Sequence, residues 1–101
     1  MDPKLNLSIR PLAHQDLLDI WGYTNTRWGE AKADKYLLAL EKVMHDLTSL
    51  PSLGRPIDSV KKQCRLIHHN QHLIIYQILQ NEISIIRVLH ERMNVIEILI
   101  Q

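Results

Sequence analysis

Residues 65–89 read RLIHHNQHLIIYQILQNEISIIRVL. Three runs rich in β-branched and aliphatic side chains, Arg65 to His69, His72 to Leu79 and Ile83 to Leu89, are separated only by Asn70-Gln71 and by Gln80-Asn81-Glu82. Breaks this short suit hairpin turns, and Asn tolerates the left-handed backbone such turns demand. The spacing therefore predicts three sequential antiparallel strands. Leu73-Ile74-Ile75-Tyr76 and Ile85-Ile86 are apolar on both faces, as central strands covered on both sides should be.

Upstream the period changes. From about Glu30, the residues Ala33, Tyr36, Leu37, Leu40, Val43, Met44, Leu47 and Leu50 recur at three and four, one continuous apolar stripe of a helix. Asp34, Lys35, Glu41, Lys42 and Asp46 fall off the stripe and read as its solvated face. Pro51 ends this helix, and Pro51 to Pro56 reads as a loop. A preceding helix from about Ala13 carries Leu17, Ile20, Trp21, Thr24 and Trp28 and stops at Gly29. So short a link makes the two helices an antiparallel hairpin. Leu5, Leu7 and Ile9 alternate with polar residues as a half-buried strand that Pro11 terminates. The expected fold is α+β: an N-terminal strand, then an antiparallel helical hairpin packed on an antiparallel sheet of three to four strands. One domain over residues 1–101 suits the length. The tail from Asn94 to Ile100 reads equally as a short helix or an added strand. An apolar sheet face left open by this layout would be a binding surface.

Composition narrows the functional classes. With 46% apolar and 23% charged residues the chain lies in the ordinary globular range. Cys64, the only cysteine, cannot form an internal disulfide and so neither requires nor excludes a reducing compartment; the cytoplasm is the default location. Met1-Asp2-Pro3-Lys4 lacks the basic segment of an export signal, and no apolar run approaches the roughly 20 residues of a membrane span. Net charge is +1 and the isoelectric point about 8.0, so direct binding to a phosphate backbone is expected to be weak or absent. A protein partner comes ahead of a nucleic acid.

His68, His69 and His72 invite a metal reading, because imidazole suits zinc, nickel and copper. Their spacing opposes it: adjacent strand residues point to opposite faces and His72 lies across a turn. Neither metal nor cofactor is expected. Trp21 and Trp28, seven residues apart, share one side of the first helix. Core packing explains them by default, and anchoring a partner is the alternative, since Trp is enriched at interface hot spots. Arg87, inside an apolar strand, is a candidate to pair with Glu91 or Asp58 at the sheet edge.

Specific positions also resemble a known family. The segments Ala13-x-x-Asp16-Leu17-x-x-Ile20-x-x-Tyr23, Leu47-x-x-Leu50-Pro51-x-x-Gly54-Arg55, then Arg65, Ile74-x-Tyr76-x-Ile78, and finally Ile85-Ile86-Arg87-Val88-Leu89-His90-x-Arg92-Met93 resemble ParE-type toxins of the RelE/ParE superfamily. The resemblance runs nearly end to end, and its last segment is the most informative. It implies the toxin of a plasmid-stabilising or related toxin–antitoxin pair that inhibits DNA gyrase by binding and is neutralised by a ParD-like antitoxin. Arg65, Arg87, His90, Arg92 and Met93 are then the target-binding candidates, while Trp21, Trp28, Tyr36 and Leu40 face the antitoxin. Such antitoxins fold a disordered segment onto the toxin, which calls for a long apolar groove.

The RelE branch implies a different chemistry, ribosome-dependent cleavage of messenger RNA. Without a metal, that reaction needs a base, an acid and cations around the phosphate, for which Arg65, Arg87, His90 and Arg92 are the candidates. RelE-like sites usually add lysines and a tyrosine near the C-terminus, whereas here the last tyrosine is Tyr76 and no lysine follows Lys62. The balance favours a non-enzymatic toxin. A third reading, an inactive member retained to bind an antitoxin, draws on two departures from the family pattern: Asn94 where an acidic residue is common, and His72 where an aromatic is.

Overall fold

The computed structural model describes residues 4–100, so the export-signal expectation on Met1-Asp2-Pro3 lies outside the described residues. Strand β1 (Asn6–Ile9) runs directly into helix α1 (Pro11–Trp28). Pro11 sits in the first helical turn, where its missing N–H would have had no helical partner anyway. Gly29 alone joins α1 to α2 (Glu30–Ser49). Its φ of 92° lies where a Cβ is strained, and its N–H closes α1 on the Asn25 carbonyl. The reversal is thus made by the one residue type that adopts this conformation cheaply.

Downstream come a single 3₁₀ turn (Pro51–Leu53), β2 (Arg55–Pro56), β3 (Cys64–His69), β4 (His72–Leu79), β5 (Glu82–His90) and α3 (Val95–Ile100). The sheet order is β1-β5-β4-β3-β2. The α+β class and the hairpin packed on the sheet follow the sequence pattern. Two details go beyond it: among the described residues the sheet has five strands rather than three to four, and β1 pairs with β5 in parallel. The helical hairpin begins the long connection that a parallel pair requires, and β2, β3 and β4 complete it. Strand β2, two residues long, is too short for alternation to reveal.

Two apolar layers sandwich the sheet. Ala13 and Leu17 of α1 and Leu40, Met44 and Leu47 of α2 close over Ile74, Tyr76, Ile83 and Ile85. On the opposite face, Leu99 of α3 packs with Ile57, Cys64, Leu66, Ile75 and Leu89. The tail is therefore a helix. The Asn94 side chain accepts the Glu97 N–H at 3.1 Å, the capping bond that favours helix over strand there.

The pairing of β4 with β5 decides which side chains reach the helices. Ile75 is in register with Arg87 but Tyr76 with Ile85, so Ile86 is an extra residue in a β-bulge. Before the bulge, Ile83 and Ile85 face the helical hairpin; after it, Val88 does. The inward-facing parity has switched from odd to even, which carries His90 to the helix side as well, where it meets His72. Without the extra residue the alternation would send His90 to the face covered by α3.

Candidate protein-binding groove

A groove of about 930 Å³ lies between the helical hairpin, the β3–β4 turn and the end of β5. Ile20 and Trp28 of α1, Tyr36 of α2, Val88 of β5 and Met93 supply its apolar lining. Trp28 is 58% exposed and Met93 51% exposed, so each presents a large apolar surface to solvent. Lys32 and Lys35 line the α2 wall, and Asp16 and Asp19 the α1 wall.

One end of the groove is a polar cluster. The Tyr36 hydroxyl lies 2.6 Å from His72 Nδ1. Burial pushes the Tyr36 phenol above its ordinary value, opposed by hydrogen bonds from the Asn70 side chain and the Gln71 backbone. The phenol is thus protonated, and it shares one hydrogen bond with Nδ1 whose direction follows the imidazole tautomer. His72 meets the His90 ring edge-on, with centroids 5.5 Å apart, while the Tyr36 ring lies 6.1 Å from His69. His90 in turn accepts the Arg92 backbone N–H at Nδ1, 3.1 Å away. Burial, followed by the neighbouring His90 and His69, holds His72 below the ordinary histidine value.

Asp16 sits beside this groove with a different task. Its carboxylate accepts Arg87 Nε at 2.8 Å, Arg87 Nη2 at 2.9 Å and the Val88 backbone N–H at 2.9 Å. Strand β1 pairs β5 only as far as Ile85, so Asp16 supplies an acceptor where the neighbouring strand has ended. Its hydrogen bonds raise the Arg87 pKa further, keeping the guanidinium cationic. Arg87 is therefore paired with a helix residue, not with Glu91 or Asp58. Glu91 holds His68 at 2.8 Å, and Asp58 accepts the Gln63 N–H.

The candidate residues separate accordingly. Arg65 donates to the Gly54 carbonyl at 2.8 Å and the Ser52 carbonyl at 3.4 Å, stitching the loop after α2 to β3. Strand β4 lies between it and Arg87 on β5. His90 and Met93 line the groove and Arg92 is exposed beside them. Of the residues expected to face an antitoxin, Trp28 and Tyr36 line the groove. Trp21 instead donates its indole N–H to Asp34 at 2.8 Å and ties the two helices together. Leu40 requires correction: it is 0% exposed, because the α2 stripe at that level points straight into the core against the sheet. Tyr76 is the cross-strand register partner of Arg65, so the two share a sheet face, and both are engaged at Gly54. The Tyr76 hydroxyl donates to the Pro51 carbonyl at 2.6 Å and accepts the Gly54 N–H at 2.9 Å. His68 turns to Glu91 while His69 and His72 are register partners beside Tyr36, and among the described residues no three His, Cys, Asp or Glu side chains gather as a metal site.

Sequence reasoning passed over the Tyr36–His72 pair and the role of Asp16. The usable signal for Asp16 was a carboxylate directly beside the buried Leu17 of an amphipathic helix, a position where an acid needs a partner.

Comparison with known proteins bears on this arrangement. Residues 7–95 match a family model described as the ParE toxin of the type II toxin–antitoxin system parDE. Toxin ParE1 of Mycobacterium tuberculosis is 32% identical over 88 residues, covering 86% of this chain and 90% of the relative. Toxin ParE1 of Caulobacter vibrioides is 33% identical over 82 residues, covering 81% and 84%. Among solved structures, the chromosomal ParDE system from P. aeruginosa superposes with a TM-score of 0.76 at 20% identity, covering 86% of this chain and 96% of the other. The RelBE2 toxin–antitoxin complex of Mycobacterium tuberculosis gives 0.68 at 17% identity, covering 87% and 99%. At these identities the structural likeness establishes the shared fold.

Proposed function

Since the chain belongs to the ParE toxin family of type II toxin–antitoxin systems, we propose that it is a single-domain cytoplasmic toxin that disables DNA gyrase by binding, silenced by a ParD-like antitoxin seated in the groove. The observation that carries the binding reading is the pairing of Arg87 with Asp16. Metal-free RNA cleavage needs cations around a phosphate together with a general acid and base. Here one candidate cation is neutralised by a carboxylate, and another, Arg65, is bound to loop carbonyls away from His90. Arg92, Met93 and the edge of His90 form the target-facing end, and Arg87 holds the strand that presents them.

The groove accounts for an antitoxin. Its exposed Trp28 and the partly buried Tyr36 are the side-chain types that dominate interface hot spots, and its apolar lining suits a segment that folds as it binds. His90 and Met93 belong to both surfaces, so an antitoxin in the groove would cover part of the target-binding end. Neutralisation then follows from occlusion.

Purified gyrase supercoiling and DNA-cleavage assays, run beside a translation extract scored for cut messenger RNA, test the target. Inhibited gyrase with intact message is the expected result. Cut message with normal supercoiling would overturn it and make Arg65, Arg87, His90 and Arg92 the residues to mutate. Trp28→Ala should weaken antitoxin binding by about tenfold or more.

A further inference from the structure

We infer that the His72–His90 end makes occupancy of the groove pH-dependent, so that an apolar segment bound there is released as the medium acidifies. This rests on the groove being the antitoxin surface proposed above. His72 and His90 are cross-strand register partners, and both line the groove. The Tyr36 hydroxyl lies 2.6 Å from His72 Nδ1; protonating the imidazole makes that nitrogen a donor to the phenol oxygen and places a positive charge against the apolar lining of the groove.

The charged surroundings do little to welcome the proton. From α2, Lys32 and Lys35 line the wall beside Tyr36; from β3, His69 is the other register partner of His72. Glu91 favours a proton on His72 but counts for less than burial, His90 and His69, and the nearby carboxylates also hold other partners. Asp16 of α1 holds Arg87, Asp19 accepts the Gln15 amide, and Glu91 after β5 holds His68. Burial and the two neighbouring histidines already disfavour charge on His72 in the unoccupied groove.

An apolar occupant strips remaining water from the imidazoles and adds no counter-charge, so it binds the neutral cluster in preference. Linkage fixes the sign: if the free protein takes up protons that the complex excludes, affinity falls as pH drops through the titration of the free protein. Tight occupancy belongs above the histidine range and release below it.

Nile red, an uncharged apolar dye, is a probe for this, titrated by fluorescence into the full chain, with circular dichroism confirming the fold at each pH. The dissociation constant should rise about fivefold between about pH 7.5 and about pH 5.5, the interval in which imidazoles titrate. Trp28→Ala should abolish most binding, placing the dye in the groove. His72→Phe, which cannot ionise, should flatten the pH profile, and His72→Asn, which keeps an acceptor for Tyr36, should do the same. Groove binding that is flat with pH in the unaltered chain, or as steep in both variants, overturns the switch and leaves the docking surface standing. Dye binding that is absent at about pH 7.5, or indifferent to Trp28→Ala, removes the apolar docking surface and the switch with it.

Discussion

Asp16 answers three donors with one carboxylate, two from Arg87 and one from the Val88 backbone. Both partners of the ion pair are largely shielded from water, so removing the acid leaves a cation and an edge N–H without a protein acceptor. Asp16→Ala should cost about 2–4 kcal/mol in urea denaturation, with Asp16→Asn, which keeps one acceptor oxygen, intermediate. An unchanged midpoint for Asp16→Ala would show that water satisfies those donors. Gly54 poses a steric question instead. A Cβ built there would lie 2.7 Å from the Tyr76 hydroxyl and 2.8 Å from the Leu66 carbonyl. Because Tyr76 is fully buried and bonded to the same loop, it has nowhere to retreat. Gly54→Ala is expected to destabilise by about 1–3 kcal/mol, visible as a lowered thermal midpoint. Neither effect could be read from local sequence: Asp16 and Arg87 are 71 residues apart, and the contact that constrains Gly54 comes from a strand 22 residues downstream.

At the scale of elements, α3 completes the molecule by covering the sheet face opposite the helical hairpin. Leu99 packs with Ile57, Cys64, Leu66, Ile75 and Leu89. Removing residues 94–101 would expose that layer, so truncation after Met93 should lower stability before it touches any contact with the target. Toxicity should fall in parallel with folded protein. Leu99→Ala is the milder probe, with an expected loss of about 2–4 kcal/mol on chemical denaturation. A truncated chain that melts like the full one would mean that α3 contributes little. The helical hairpin and the three long strands were legible because each is long enough to repeat its period. The bulge was not. It is one extra residue, Ile86, in an unbroken run of apolar side chains, where either parity would have looked equally well buried.

For the molecule as a whole, pH acts on stability through His72. Its folded-state pKa lies below the ordinary value of 6.5, so the unfolded chain takes up the proton first. Stability is then complete above that value, falls as pH drops through it, and levels off once the folded state is protonated too. Thermal melts from about pH 7.5 down to about pH 5 should show this decline, and His72→Phe should make it shallower; equal slopes would assign the decline to other groups. Composition and periodicity by themselves determined the α+β class, the order of the long elements and most of the core, because burying an apolar stripe leaves a repeat in the chain that needs no partner to be seen. The last segment, Arg87 to Met93, was also legible as the region of interest through its resemblance to ParE-type toxins. Tertiary structure alone decided which of those residues act together. It sealed Leu40 in the core, tied Arg65 to a loop and Arg87 to Asp16, and brought Tyr36, His72 and His90 to one end of a groove. Those outcomes depend on strand register, a bulge and pairings between distant residues, and such long-range geometry leaves no periodic trace in the local sequence.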